Sequence, residues 1–526
     1  MPKLLIDGRE IEVPAGSTVM QALEKAGVKV PYYCWHPGLS IAGNCRMCLV
    51  EVEKAPKPMI ACDTKVAEGM VVKTQSEMAK KARAGTLEFI LANHPLDCPV
   101  CDQAGECELQ NFYMNYGLYD SKFDDEKVKK HKAEIIGPTV MLDSERCILC
   151  SRCVRFCDEI THTGELGIMN RGDHEEIGIY PGKELDNKYS GNVVDICPVG
   201  ALTDRDFRFK CRVWYLTPSD SVCPGCSMGC NIRIDSNLSR PHHAKGERVM
   251  RLKPRENQEV NKWWMCDEGR YGYKFIDHDR IVKAKSGGVD VEFDQAVSEL
   301  AAFLNVAIKS GSQSKIGVLV STHLSNEDLY AIRKLFKEKL GIENIDYRAG
   351  QKTGYSDDFL MKADKSPNTA GARALEMNSP AAGKFIEKCE GLILFGVDLP
   401  SLPKNLRFLA YIGTNNNSAS KAASIVIPGA VYAEKEGTFT NFEGRVQRFR
   451  EAFAPLGDAK PEWQIACDLS AKLGIKPALS AGGLEFQSAE AVFREIAKTV
   501  PPFEGLSYES LGNTGKQLKQ PVTSRS

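Results

Sequence analysis

Residues 94–107 contain four side chains that bind soft metals, spaced as H-x3-C-x2-C-x5-C. These residues are His94, Cys98, Cys101 and Cys107. Thiolates at this spacing suit a cluster of iron and sulfide, or a zinc ion. Pro95 and Pro99 keep the backbone from continuing as a helix, so the loop can fold around a metal centre. The alternative is that His94 is a surface-loop histidine and only the three cysteines bind metal.

The segment in front of this motif has the pattern of a helix. Over residues 79–93, Leu87, Ile90 and Leu91 fall on one face at helical spacing. We expect the helix to end at His94, because a proline disfavours helical backbone in the residue before it.

Composition and charge exclude several functional classes. The chain has 526 residues, 43% of them hydrophobic, and a formal net charge of −1. This length suits roughly three to five domains, and the near-neutral charge argues against nucleic acid or a membrane surface as the main partner. No apolar run reaches the ~18 residues that a membrane span needs, and the N-terminus resembles neither a signal peptide nor a transit peptide.

The cysteines are concentrated at the front of the chain. Of 19 cysteines, only Cys389 and Cys467 lie beyond Cys266. In a chain without a secretory signal, so many cysteines indicate metal binding rather than disulfides. The sequence therefore divides into a metal-rich front and a metal-poor back.

The N-terminal region has the layout of a 2Fe–2S ferredoxin. Residues 3–6 and 11–13 predict a hairpin around the turn Asp7-Gly8, and a helix is predicted from Ser17-Thr18 to about Ala26. Four cysteines follow as C-x10-C-x2-C-x13-C, namely Cys34, Cys45, Cys48 and Cys62. The plant-type pattern has four residues between its first two cysteines, so this loop is longer. Zinc is the alternative, although zinc ribbons favour two C-x2-C pairs and this set has one.

A third group has the bacterial 4Fe–4S ferredoxin pattern, C-x2-C-x2-C-x3-C with a distant Cys-Pro. No second triplet precedes Cys197, so the group predicts one cluster, held by Cys147, Cys150, Cys153 and Cys197. Cys157 is predicted to be a small buried residue, with a swapped ligand as the alternative. Cys211 has no partners at cluster spacing. The charged residues 120–132 in front of this group predict a solvated linker or an exposed helix.

A fourth group is spaced as C-x2-C-x3-C-x35-C and could hold a cluster or form a zinc knuckle. Its members are Cys223, Cys226, Cys230 and Cys266.

The pattern becomes α/β after about Asp277. Strands are predicted at residues 316–321, 392–395 and 425–427, with an amphipathic helix at 326–340. Alternating strands and helices imply a mainly parallel, doubly wound sheet. The back contains neither G-x-G-x-x-G nor G-x4-G-K-[ST]; its polar loop 413–418 is predicted to be a connection or to touch a phosphate. The tail from about Tyr508 is predicted to be poorly ordered.

The order of these four groups resembles that of the large iron–sulfur subunit of the peripheral arm of respiratory complex I, the NADH:quinone oxidoreductase, in its bacterial form. The resemblance covers nearly the whole chain. It implies a 2Fe–2S cluster on Cys34, Cys45, Cys48 and Cys62, and 4Fe–4S clusters on His94, Cys98, Cys101 and Cys107 and on Cys147, Cys150, Cys153 and Cys197. An extra 4Fe–4S cluster of some bacterial members corresponds to Cys223, Cys226, Cys230 and Cys266. Residues 427–434 and 437–447 are similar to a molybdopterin-oxidoreductase domain.

The implied fold is multidomain, α/β and α+β. It comprises an N-terminal β-grasp 2Fe–2S ferredoxin domain (1–78), a 4Fe–4S domain with one histidine and three cysteine ligands (79–118), a 4Fe–4S ferredoxin-like domain (137–215), a 4Fe–4S domain of molybdopterin-oxidoreductase type (216–272) and a reduced, degenerate molybdopterin-oxidoreductase-like α/β domain with the tail (273–526). Because this last domain is short and its cysteines are isolated, we expect no molybdenum or pterin.

The implied function is that of an electron conduit in a respiratory translocase. The family implies that electrons enter at the 2Fe–2S centre, pass to the Cys147 set, then to the His94 set, and leave towards quinone. The implied partners are the NADH/flavin-binding subunit, a 2Fe–2S subunit and a quinone-proximal iron–sulfur subunit, on the cytoplasmic side of the bacterial inner membrane. No catalytic acid, base or nucleophile is expected in this chain, and no nucleic acid.

Three other functions share some of these features. An NAD-linked molybdenum formate dehydrogenase has the same front series, but its pterin domain is far larger. An iron-only hydrogenase would need further cysteines for its active-site cluster. A multi-zinc scaffold would contain neither iron nor sulfide.

Overall fold

The computed structural model describes residues 1–117, 120–172, 174–242, 244–349, 355–377, 385–399, 401–475 and 484–519. The chain forms two compact units, Met1–Leu216 and Thr217–Ser526. Among the described residues, no helix is both long and apolar enough to cross a bilayer.

The first unit begins with a five-stranded sheet and one helix. Its elements are β1 (Lys3–Ile6), β2 (Arg9–Glu12), α1 (Val19–Lys25), β3 (Leu49–Val52), β4 (Met59–Ile60) and β5 (Met70–Lys73). The strand order is β2-β1-β5-β3-β4, with β1 antiparallel to β2 and parallel to β5. Thr18 caps α1, since its side chain accepts from the Gln21 amide. The predicted hairpin and helix are confirmed, and their arrangement is that of a β-grasp domain.

Two helices flank the loop that carries the His94 motif. They are α2 (Glu77–Ala92) and α3 (Glu108–Tyr116). The structure confirms the predicted helix before His94. Lys127 donates to the last carbonyls of α2, at 3.0 Å from Leu91 O and 2.7 Å from Ala92 O. Residues 120–132 thus form a linker without regular secondary structure, and one of its cations stabilises a helix C-terminus.

The remainder of the first unit consists of short elements. They are β6 (Glu134–Ile135), β7 (Val140–Leu142), α4 (Arg152–Glu159), β8 (Leu166–Met169), β9 (Glu176–Ile179), α5 (Asn192–Ile196) and β10 (Leu202–Asp204). Strands β10, β7 and β6 form one antiparallel sheet and β8 pairs with β9. Cys153 lies in the first turn of α4, and Cys197 directly follows α5. These two helices therefore position half of the third ligand group.

The second unit begins with a small antiparallel sheet that precedes the last cysteine of the fourth group. Its elements are β11 (Thr217–Val222), β12 (Asn231–Ser236), β13 (Val249–Pro254) and helix α6 (Asp267–Tyr271). The turn from β11 to β12 carries Cys223, Cys226 and Cys230, and Cys266 caps α6.

A seven-stranded sheet forms the centre of the second unit. Its elements and helices are β14 (Ala284–Ser286), β15 (Val289–Val291), α7 (Phe293–Lys309), β16 (Ile316–Ser321), α8 (Asn326–Arg333), β17 (Ile345–Arg348), α9 (Thr369–Ala374), β18 (Gly391–Phe395), β19 (Phe408–Gly413), α10 (Ser418–Ala422) and β20 (Ile425–Pro428). The strand order is β15-β14-β20-β19-β18-β16-β17. The five strands from β20 to β17 are parallel, and β14 is antiparallel to both of its neighbours. The predicted strands and the mainly parallel sheet are confirmed.

The C-terminal part of the second unit is ordered, so the expectation of a poorly ordered tail from Tyr508 is wrong up to residue 519. Its elements are β21 (Gly437–Thr440), β22 (Arg445–Phe449), α11 (Glu462–Lys472), α12 (Ala489–Thr499), α13 (Tyr508–Leu511) and β23 (Lys516–Gln517). Tyr508 is 3% exposed, and its hydroxyl donates to Glu327 Oε1 at 3.0 Å. This buried hydrogen bond holds the segment in place. Residues 520–526 lie outside the described residues.

Helix α8 is not the amphipathic helix that the sequence predicted. Residues 326–332 are all buried, including three polar ones, and the chain continues into a π-helical turn, Lys334–Lys339. The polar side chains are paired: Lys435 Nζ lies 2.7 Å from Asp328 Oδ2, and Glu327 accepts from the Thr438 amide at 2.8 Å and its hydroxyl at 2.9 Å. The helix can therefore lie in the interior with its polar groups satisfied.

Burial raises the pKa of Glu327 to about 7 from its ordinary value of 4.5. A carboxyl with a raised pKa in the folded state contributes stability below 4.5 and loses it as the pH rises through about 7. We therefore expect Glu327→Gln to reduce the fall in unfolding free energy between these pH values, by at most about 1.4 kcal/mol per pH unit. Urea denaturation at a series of pH values measures this slope. The exposed Glu343→Gln is the control, and equal slopes in Glu327→Gln and wild type would contradict the assignment.

Candidate iron–sulfur sites

The first ligand set consists of four neighbouring thiols. Cys34, Cys48 and Cys62 are each 1% exposed, and Cys45 is half-buried. The thiol of Cys34 contacts those of Cys45 and Cys62, and Cys48 also contacts Cys62. Contacts with Cys45 and then Cys62 hold the pKa of Cys34 well below its usual range. The contacts connect all four sulfurs in the order Cys45, Cys34, Cys62 and Cys48, and four adjacent thiolates can hold a 2Fe–2S cluster.

The third set surrounds one small cavity. Cys147, Cys150, Cys153 and Cys197 line it together with Arg152 and apolar side chains. Leu149 and Ser151 have φ values of 53° and 59°, so the backbone curls around the cavity in a left-handed conformation that L-residues seldom adopt. The Leu149 amide donates to Cys147 Sγ at 3.4 Å. Burial raises the pKa of Cys147 to about 12 and of Cys150 to about 11, so a metal must displace their protons when it binds.

Cys157 lies outside this cavity lining. It is fully buried in α4, and burial, followed by the charge of Glu165, raises its pKa. The fifth cysteine of the group is therefore buried, as the sequence predicted.

The fourth set also lines a cavity. Cys223, Cys226, Cys230 and Cys266 line it with Met265, Met361, Glu268, Lys365 and three glycines. The amides of Gly225 and Gly269 donate to Cys223 Sγ and Cys266 Sγ, both at 3.4 Å. A Cβ on Gly269 would lie 3.0 Å from Cys223 Sγ. Glycine therefore lets the backbone approach the sulfurs and donate to them.

The second set is the most open. Cys101 is buried, Cys107 half-buried and Cys98 exposed. After burial, the charges of Cys101 and Cys98 raise the pKa of Cys107, so the three thiols are neighbours. Burial, followed by Arg146, lowers the pKa of His94 to about 4. A neutral imidazole can offer a nitrogen lone pair to a metal.

His94 faces a wider cavity than those of the other sets. This cavity is also lined by Cys45 of the first set and Cys147 of the third. His94 thus shares a cavity with one ligand of the first set and one of the third. The three cysteines of its own motif lie near one another. One apolar cluster connects all three sets, because it contains Cys34, Cys107 and Cys150.

Single-ion sites fit this chain less well than clusters. In the described part of the chain, no three His, Cys, Asp or Glu side chains are grouped so that they could hold one metal ion. Zinc–sulfur bonds of about 2.3 Å would bring four thiolates to within ~3.8 Å of one another. The third and fourth sets instead surround small cavities, and it is the spacing of their cysteines that favours clusters.

The sequence analysis missed buried cations beside these sites. Arg83, Arg146 and Arg152 are 0%, 5% and 5% exposed, and Lys365 lies in the fourth cavity with its Nζ 2.8 Å from Glu268 Oε2. Two of the arginines directly precede ligand cysteines in the sequence, which is a signal that could have identified them.

The polar loop 413–418 is a connection. Asn415 donates to the carbonyls of Phe275 and His278 at 2.8 and 2.7 Å, and the Asn417 side chain accepts from Ser420 N and caps α10. These contacts engage the side-chain amides of Asn415 and Asn417 within the fold, as expected of a connecting loop.

Five family models match successive parts of the chain. They are the 2Fe-2S iron-sulfur cluster binding domain (residues 3–77), the NADH-ubiquinone oxidoreductase-G iron-sulfur binding region (83–122), the ferredoxin-like domain of NADH-quinone oxidoreductase subunit 3 (137–203), the molybdopterin oxidoreductase Fe4S4 domain (217–278) and molybdopterin oxidoreductase (401–472).

Relatives match over nearly the full length. The G subunit of NADH-quinone oxidoreductase from Rickettsia bellii is 31% identical, with 99% of this chain and 94% of the relative covered. The mitochondrial NADH dehydrogenase [ubiquinone] iron-sulfur protein 1 of Solanum tuberosum is 32% identical, with 95% and 83% covered. A chain from a crystal structure of an NAD+-reducing nickel–iron hydrogenase is 29% identical, with 40% of this chain and 91% of that chain covered and a TM-score of 0.36.

A β-grasp 2Fe–2S domain, followed by 4Fe–4S regions and a molybdopterin-oxidoreductase-like domain, defines a multicluster iron–sulfur protein. Within that class, the chain belongs to the family of the NADH-quinone oxidoreductase G subunit.

We expect His94→Cys to retain a cluster but lower its midpoint potential, because a neutral ligand is replaced by an anionic thiolate. Redox titration monitored by EPR measures the shift. His131→Ala, at an exposed histidine of the same unit, should change nothing. If His94→Ala left the signal and potential of this cluster unchanged, His94 would not be a ligand.

We expect Cys157→Ala to keep the cluster of the third set and to destabilise the fold by about 1 kcal/mol, as for the loss of a small buried group. Cys197→Ala is the matched variant and should abolish that cluster's EPR signal. Loss of the signal in a folded Cys157→Ala protein, with the signal kept in Cys197→Ala, would make Cys157 the ligand instead.

Proposed function

We propose that the chain is the iron–sulfur electron-transfer subunit of an NADH:quinone oxidoreductase and relays electrons from the NADH/flavin subunit towards quinone. One observation carries this proposal: Cys45, His94 and Cys147, each from a different ligand set, line the same cavity. Electron transfer needs redox centres that are close and rigidly spaced, and the contribution of all three sets to one apolar cluster supports this proposal.

The proposed ligands are the four sets predicted from the sequence, for one 2Fe–2S and three 4Fe–4S clusters. They are Cys34, Cys45, Cys48 and Cys62; His94, Cys98, Cys101 and Cys107; Cys147, Cys150, Cys153 and Cys197; and Cys223, Cys226, Cys230 and Cys266. When bound, such clusters supply one-electron transfer at potentials set by ligand charge, hydrogen bonds and solvent exposure. The chain itself holds the thiolates, donates amides to their sulfurs and excludes water from the buried sets.

The protein is a subunit of an enzyme, and we infer no acid–base or nucleophilic step within it. The buried carboxyls of the second unit have structural partners. Glu434 is bound by Arg280 and Arg248, each at 2.7 Å, and Lys435 pairs with Asp328 and Glu462. The paired residues Asp328, Glu434, Lys435 and Glu462 are all buried in the second unit. They support our proposal that this domain binds no molybdenum or pterin and acts as packing and docking surface.

The proposed partners are other peripheral-arm subunits of complex I: the NADH/flavin-binding subunit, a 2Fe–2S subunit and the quinone-proximal iron–sulfur subunit. The corresponding location is the cytoplasmic side of the bacterial inner membrane, where the chain is peripheral through the complex. We propose that the domains of the chain span residues 1–78, 79–118, 137–215, 216–272 and 273–526.

A molybdenum formate dehydrogenase remains the alternative, because two molybdopterin-oxidoreductase family models match the second unit. The full-length relatives favour complex I.

Anaerobically purified protein should contain about 14 iron atoms per chain with matching acid-labile sulfide, as one 2Fe–2S and three 4Fe–4S clusters require. Elemental analysis measures iron, zinc and molybdenum in the same sample. About four zinc ions with almost no iron would identify a zinc scaffold. Stoichiometric molybdenum or extractable pterin would favour the formate dehydrogenase.

A further inference from the structure

Three buried arginines in the first unit have side-chain nitrogens without a hydrogen-bond partner among the described residues. The atoms are Nη1 and Nη2 of Arg83, Nη1 of Arg146 and Nε of Arg152. The side chains of Arg146 and Arg152 are each 6% exposed. A buried N–H that is left unpaired costs about 1–3 kcal/mol, and more when the group is charged. Each therefore points to an acceptor that the chain itself does not supply.

Arg152 joins the ligand loops of the first and third sets. Its Nη2 donates to Trp35 O at 2.7 Å, next to Cys34, and its Nη1 donates to Ile196 O at 2.9 Å, next to Cys197. The side chain also lines the cavity of the third set. Arg155, one helical turn later, reinforces the same connection through Cys34 O and Cys150 O.

Arg146 joins the third set to the second. It directly precedes Cys147, and its Nη2 donates to Asp97 Oδ2 at 2.9 Å, beside Cys98. A Cβ built on Gly200 would lie 2.2 Å from Cys101 Sγ and 3.7 Å from Arg146 Cδ, so the arginine and this thiol are close neighbours.

Carboxylates do not account for both charges. Among the described residues, one carboxylate lies within 4 Å of Arg152, that of Glu108 at 3.9 Å from Nη2, and this separation is too long for a hydrogen bond. Arg146 pairs with Asp97 and Asp143 through Nε and Nη2, which leaves Nη1 available.

We propose that Arg152 and Arg146 are positioning residues that each connect two ligand sets. Arg152 connects the first set to the third, and Arg146 connects the third set to the second. Each directs its unpaired N–H towards the metal centres held by the sets that it connects. This inference rests on the proposed function, because it requires clusters in all three sets of the first unit. A fixed positive charge stabilises a cluster more strongly after it gains an electron, so each arginine raises the midpoint potentials of the two clusters that it joins.

The test uses the assembled complex with substitutions in this chain. The informative variants are Arg152→Gln and Arg146→Gln, with Arg152→Lys and Arg146→Lys to retain the charge without the fork. Arg83→Gln is the matched control: Arg83 is equally buried but reaches one set, through Leu49 O at 2.8 Å beside Cys48. Arg9→Gln, at an exposed residue, is the surface control.

The readout is the midpoint potential of each cluster from EPR-monitored redox titration. Arg152→Gln should shift the first and third sets to more negative potentials and leave the second unchanged. Arg146→Gln should shift the third and second and leave the first unchanged. Arg83→Gln should shift the first alone, Arg9→Gln none, and the lysine variants should shift the same pairs by less than glutamine does.

Any other pattern overturns the inference, namely a shift of one cluster, of all three or of none in a loaded Arg152→Gln or Arg146→Gln protein. A variant could lose clusters instead of shifting their potentials. Loss of the two clusters that the arginine connects, with the third cluster retained, would support the inference. Loss of one cluster or of all three would contradict it. The proposed function fails separately, because wild-type protein without iron and sulfide would show no such clusters to measure.

Discussion

The structure of the first unit depends on the requirement to bring cysteine thiols together in apolar surroundings. In the third set, burial raises the pKa of Cys147 and Cys150, so there the thiolate form requires a metal to replace the proton. Bringing such groups together requires irregular backbone, and the left-handed residues Leu149 and Ser151 provide it. Short helices then fix the ligands at their ends, as α5 does for Cys197.

Buried cations are the counterpart of these thiols. An anionic cluster enclosed by protein needs nearby positive charge or N–H donors, because water is excluded. Arg152 and Lys365 lie in cavity walls beside cysteines, while amides such as that of Gly269 approach the sulfurs directly. Both units thus combine the same elements, a fixed cation and a donating backbone, although their surrounding folds differ.

Local spacing in the sequence predicted those features of the fold that depend on residues close together in the chain. The C-x2-C runs, the helix before His94 and the parallel strands follow from local patterns, and the structure has them. Contacts between distant residues escaped prediction: Arg152 reaches Trp35, 117 positions away, and Glu327 in α8 accepts from Thr438, 111 positions away. A polar helix can be buried, and a polar tail ordered, only through such partners, and no local pattern records them.

The apolar cluster shared by three ligand sets limits the positions at which this chain could be joined to another by recombination. Cys34, Cys107 and Cys150 belong to the same cluster, so a recombination point between the sets would divide one interior into two incomplete halves. The boundary between Leu216 and Thr217 separates two compact units instead. A chimera joined at that boundary would keep the interior of the first unit whole, whereas a join between the ligand sets would expose it to water.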